Sequence, residues 1–142
     1  MYIAVNDLAQ PLGYLTDLEL QNYSSKAGET ISLHTDRIES LIVQRSNEID
    51  TYLRGRYDLP ISLDKVETLS ILADICKNLV SYDLVYNRLG SKITESQKNW
   101  ETKAYLQLDK IVKGEMVILT NNQSNVRYAV TSRSPLLDTT NF

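Results

Sequence analysis

The chain has 142 residues, 42% of them hydrophobic and 23% charged, with a formal net charge of −3 and a pI of about 5.1. That size fits one domain whose single core needs no staples, and no apolar run approaches the roughly 20 residues that span a bilayer, so no membrane partner is expected. One cysteine, Cys76, excludes an internal disulfide and fits a reducing compartment, while singly scattered Lys and Arg in an acidic chain offer little for the basic stripe that tight nucleic-acid binding requires.

Residues 1–34 carry no long period. The start, Met1 to Asp7, lacks a basic region followed by an apolar one, so a secretory signal is not expected. Asn6-Asp7 predicts a short helix ending near Pro11, Thr16-Asp17 another through Leu20, and Ser24 to Gly28 reads as a turn.

The first clear helix opens at Asp36, with Glu39 three residues on in the spacing of a capping box. Its apolar stripe runs Ile38, Leu41, Ile42, Ile49, Tyr52 and Leu53, interrupted by Arg45. Gly55 is expected to take a positive φ after the last turn. Leu59, preceding Pro60, is biased to an extended conformation. Asp64 with Glu67 predicts the start of a longer helix. Its stripe is Val66, Leu69, Leu72, Ala73, Cys76, Leu79, Val80 and Tyr86 or Leu89, with Ile75, Tyr82 and Val85 partly off it. A helix apolar around so much of its circumference is central to a bundle or faces another subunit. Gly90 ends it.

Thr94 with Gln97 forms a third capping box, ahead of Trp100, Ala104, Leu108, Ile111 and Val112 on one face and a stop at Gly114. These helices run about 19, 26 and 20 residues, or about 28–39 Å at a rise of 1.5 Å per residue. Short links predict antiparallel neighbours. After Gly114 the period changes to two. Met116, Ile118 and Thr120, then Val126, Tyr128 and Val130, flank the polar stretch Asn121 to Asn125, the pattern of a β-hairpin. The fold expected is therefore mainly α: an antiparallel bundle of three long helices plus short N-terminal helices over residues 1–114. A C-terminal β-hairpin or extended arm would occupy residues 115–142.

Residue types that carry chemistry occur singly. His34 is the only histidine and reads as a loop residue. Cys76 lies on the apolar stripe of the central helix, where a cysteine acts as a small hydrophobe. Without a Cys/His cluster a structural zinc site is not credible. The glycines sit at helix stops and turns, not in a phosphate loop. No catalytic, metal-ligating or cofactor-binding residue is expected, and an enzyme is disfavoured. Asp50, Arg56 and Tyr57 at the helix junction have two readings. They satisfy carbonyls, amides and a helix end locally, or they make a subunit contact, since Tyr and Arg are enriched at interface hot spots. Nine tyrosines against one phenylalanine suit an extensive half-wet contact surface.

Tyr2-Ile3 with Asn6-Asp7-Leu8, then Ile49-Asp50, Tyr52-Leu53, Gly55-Arg56-Tyr57, Leu59-Pro60 and Asp74-Ile75 resemble the phage Mu-type gene-36 protein family over roughly residues 1–119. The last helix, with Leu108, Ile111 and Gly114, also fits. The segment between Leu20 and Leu33 is poorer in acidic residues than the family pattern, and the tail after Thr120 has no clear counterpart.

The resemblance implies a structural head–tail connector of a tailed phage. Such a subunit forms a homo-oligomeric ring, twelvefold by that resemblance, beneath the portal protein. Tail or tail-completion proteins would meet it on the other side, and DNA would pass through the lumen without tight binding. It implies a place at the virion neck, and in the host cytoplasm during assembly. The C-terminal arm would pair with neighbours or portal, which adds Tyr128, Arg133, Leu136, Leu137 and Phe142 to Asp50, Arg56 and Tyr57 as interface candidates. The alternative is a small helical regulatory protein binding nucleic acid. It would need a contiguous positive stripe along Arg45, Arg54, Arg56 and Lys65.

Overall fold

The structure, a computed structural model, describes residues 1–118. Four α-helices follow one another: α1 (Asp17–Ser24), α2 (Thr35–Arg54), α3 (Val66–Leu89) and α4 (Glu95–Val112). Single 3-10 turns at Val5–Leu8 and Gly90–Lys92 precede α1 and α4. No strand occurs among the described residues beyond one isolated bridge between Ala9 and Leu15. The expected hairpin lies outside them.

Two helix starts follow their sequence signals. Thr16 caps α1, its hydroxyl accepting the Glu19 N–H at 3.1 Å while the Glu19 carboxylate accepts the Thr16 N–H at 2.9 Å. α1 then runs one turn past the expected Leu20. Thr94 and Gln97 make the same reciprocal pair at α4. Each box satisfies two of the amides a helix start leaves orphaned.

The other two starts differ. α2 begins at Thr35 with His34 flanking it, so Asp36 lies inside the first turn and forms no cap. The cause is a serine-rich loop closure. The Ser24 hydroxyl accepts the His34 N–H at 3.1 Å, and Ser25 Oγ accepts the Ser32 N–H at 3.2 Å and donates to its carbonyl at 3.0 Å. These bonds fix the helix cap at His34, two residues ahead of the aspartate. α3 starts at Val66, one residue beyond Lys65, and has no side-chain cap.

Gly55 also departs from expectation. Its φ is −70°, in the right-handed region. α2 stops because the chain must turn to bury Tyr57, which is 1% exposed, while the Arg56 and Tyr57 N–H groups both return to the Leu53 carbonyl. Gly90 and Gly114 do take positive φ, +59° and +80°, and end α3 and α4.

α2 and α3 run antiparallel, with Arg45 meeting Asp83 and Arg37 and Leu41 lying level with Arg88 and Asn87. α3 and α4 are antiparallel as well, because Tyr82 and Tyr86 share a groove with Thr102 and Lys98 in reversed order. α3 is the central element, packed by α1, α2 and α4. Leu72, Ile75, Cys76, Leu79, Val80, Leu84 and Val85 are buried along it. Ile75 and Val85, off the sequence stripe, are wholly covered, whereas Val66 and Tyr86 are exposed. A helix with neighbours on three sides buries a wider arc than a single stripe. α2 adds Ile38, Ile42, Ile49 and Leu53, α4 adds Ala104, Leu108 and Ile111, and the N-terminal segment adds Leu8, Leu15 and Leu20.

Candidate functional site

The junction residues Asp50, Arg56 and Tyr57 come together at the C-terminal end of α2, where both terminal segments of the described chain are tied down. Asp50 accepts the phenol hydrogen of Tyr2, and the Tyr2 N–H donates to the Ser46 hydroxyl at 3.3 Å. The first residues are thereby laid along α2. Burial, then the Asp50 carboxylate, raises the Tyr2 pKa, so the phenol stays protonated and keeps donating.

On the other side Tyr57 carries the exit of the chain. Its phenol oxygen accepts the buried N–H of Ile118 at 3.1 Å, and Ile118 itself is fully covered. The turn that brings Ile118 back begins at Gly114. There the Glu115 and Met116 N–H groups both reach the Lys110 carbonyl, at 2.9 and 3.1 Å. The Arg56 guanidinium lies over Gly114, and a Cβ built on that glycine would stand 2.4 Å from the nearest guanidinium nitrogen. The chain thus leaves the described residues from a fixed point. Tyr128, Arg133, Leu136, Leu137 and Phe142 lie outside the described residues.

A second constellation escaped sequence reasoning. Arg45, read above as an interruption, joins three helices. It clasps Asp83 of α3 through two bonds of 2.6 and 2.5 Å and reaches Glu48 of α2 at 2.5 Å and the Tyr105 hydroxyl of α4 at 2.8 Å. Tyr105 donates in turn to Glu48 at 2.7 Å, closing the network. The Asp83 bond above all, with Glu48, raises the Arg45 pKa. The Tyr105 pKa is pushed up to about 12, by burial first and then by the Glu48 acceptor. A cation inside an otherwise apolar stripe was the available signal. Its partners, far off in sequence, were not readable. With two carboxylates upon it, Arg45 also leaves the positive stripe that nucleic-acid binding would need.

The chemistry-bearing residues are placed apart. Cys76 is buried beside Ser46, Sγ to Oγ 3.7 Å, and burial pushes its thiol up to about 11, so it stays protonated and unreactive at neutral pH. His34 faces Ser32 at 3.3 Å and Glu29 at 3.8 Å, a loop contact. Among the described residues no group of three or more His, Cys, Asp or Glu is placed to hold a metal ion, and no helix is long and apolar enough to cross a membrane.

The family model described as Bacteriophage Mu, Gp36 matches residues 2–133. No curated protein and no solved structure matches the chain.

Proposed function

Because the chain belongs to the Bacteriophage Mu, Gp36 family, we propose that it is a structural protein of a tailed phage particle, a head–tail connector subunit. Copies assemble as a ring beneath the portal protein and present their other side to tail or tail-completion proteins. DNA passes through the lumen. The observation that carries this reading is the extent of the family match, which covers the bundle and runs into the residues after Ile118.

Three physical features support it. The bundle is a rigid block with its central helix held on three sides, suited to bearing load by position rather than by chemistry. The exit of the C-terminal segment is pinned at Tyr57, so an arm of residues 119–142 starts from a defined place on each subunit. A net charge of −3 is compatible with a lumen that lacks the strongly basic lining that would grip the phosphate backbone and retard its passage.

The test is the purified particle. Mass spectrometry should find the protein in complete virions, and cryo-electron microscopy should place it as a ring between portal and tail. Its absence from particles ends this reading.

A further inference from the structure

The surface of the described residues carries one cleft and one projection of opposite character. The cleft, about 540 Å³, opens between α1, α2 and α3. Tyr23, Leu41 and Leu84 form its apolar floor, Lys26, Arg37 and Arg88 stand around it, and no carboxylate lines it. Arg37 is neutralised from outside by Glu29, with bonds of 2.6 and 2.8 Å. The other two cations are not. Arg88 gives its guanidinium to the carbonyls of Ser25 at 2.8 Å and Asn22 at 3.4 Å, and no carboxylate among the described residues pairs with it or with Lys26. In an acidic protein this is a concentrated positive site.

The projection is the first turn of α3. Val66 is 76% exposed, the most exposed large hydrophobic residue among those described. It sits in the exposed run Asp64-Lys65-Val66-Glu67, which is net negative, and the Glu67 carboxylate pairs with no cation among the described residues. One apolar knob beside an unneutralised carboxylate is the complement of an apolar floor beside unneutralised cations.

We propose that copies of the chain associate head to tail, the Val66–Glu67 turn of one seated in the cleft beneath Lys26 and Arg88 of the next. Knob and cleft lie toward opposite ends of α3: Val66 and Leu84 are about 27 Å apart at 1.5 Å per residue. Each copy can therefore offer its knob to one neighbour and its cleft to another. A heterologous contact of this kind propagates from copy to copy and closes into a ring when the rotation permits. The pairing rests on the ring reading above and adds to it the two surfaces that meet.

Sedimentation velocity over a concentration series tests it on the full chain, with circular dichroism as the check on folding. Lys26 and Glu67 are exposed, so reversing either charge leaves the bundle intact. Lys26→Glu and Glu67→Lys should each weaken self-association by about tenfold or more, as expected for a close interfacial charge pair. The double variant, which restores opposite charges across the contact, should recover most of it. Val66→Asp should abolish it. Single reversals without effect, a double variant no better than the singles, or a wild type that stays monomeric throughout would each overturn the pairing. Particle content decides the connector role independently: a protein present at the neck whose incorporation ignores these substitutions keeps that role and loses this interface.

Discussion

The Tyr57 hydroxyl and the Ile118 amide, 61 residues apart in sequence, meet in a buried hydrogen bond of 3.1 Å. It joins the turn after α2 to the last described residue after α4. Everything beyond Ile118 departs from this anchor, so it sets where a C-terminal segment begins on the molecule.

Tyr57→Phe keeps the ring and removes the acceptor, stranding a buried N–H. The expected loss is about 1–3 kcal/mol in urea denaturation. Hydrogen exchange at Ile118 should rise more than the global change accounts for. Deleting residues 121–142 leaves the anchor in place, so the truncated protein should keep the helical content and cooperativity of the full chain while failing to assemble. A truncation that unfolds would make the deleted segment part of the core.

Three glycines should respond differently to alanine. Gly55 has φ −70° and open space where a Cβ would go. Gly55→Ala should stabilise by about 0.4–1 kcal/mol, by restricting the unfolded chain. Gly114 holds φ +80° beneath Arg56, and there alanine should cost about 1 kcal/mol or more. Gly13 is the most demanding. A Cβ on it would stand 2.2 Å from the Leu8 carbonyl carbon and oxygen, which are backbone atoms and cannot swing aside. Gly13→Ala should cost about 2 kcal/mol or more. Thermal melts of the three variants, ranked in that order, check the set.

Acid should weaken the closure of the loop ahead of α2. Arg37, and then the Lys26 N–H, hold the Glu29 carboxyl down at about 2 against an ordinary 4.5. A depressed folded pKa means the stabilisation is complete above about 4.5 and is lost as pH falls toward 2. An NMR titration should give Glu29 a midpoint near the lower value. Glu29→Gln should flatten the acid limb of the stability curve over that window. A midpoint near 4.5 would mean that Arg37 and Glu29 do not pair in solution.

Local chemistry was legible where it is self-contained. Thr94 and Gln97 cap α4 as their spacing predicts, because the two residues need only each other. Asp36 and Glu39 have the same spacing and form no cap, because Ser24 fixes His34 from ten residues away, Ser25 fixes Ser32 from seven, and the helix starts too early. Gly55 carries the sequence signature of a left-handed stop, but the burial of Tyr57 turns the chain instead. Asp50 was legible as a junction residue and its partner Tyr2 was not, since a hydrogen bond across 48 residues leaves no mark in local periodicity. The central role of α3 could be read from its broad apolar circumference. Which of its residues met which neighbour could not.

Arg45 is the clearest case of a partner hidden from sequence, and it gives the sharpest energetic test. Its side chain and that of Asp83 are each 17% exposed, and Glu48 and Tyr105 complete the network. Arg45→Met keeps much of the volume and leaves two carboxylates facing each other across the α2–α3 seam without their cation. The expected loss is about 2–3 kcal/mol, below that of a fully buried pair because water reaches the rim. Replacing Asp83 as well removes the more buried of the two stranded charges and leaves Glu48 with the Tyr105 hydroxyl, so Arg45→Met/Asp83→Leu should recover most of the loss. The recovery measures coupling between the two residues, and a double-mutant cycle in urea reads it directly. Tyr105→Phe should cost about 1 kcal/mol and speed exchange in α4 more than in α2, since it cuts only the link to that helix. Additive losses in the Arg45/Asp83 cycle would mean that apolar packing alone holds the three helices in register.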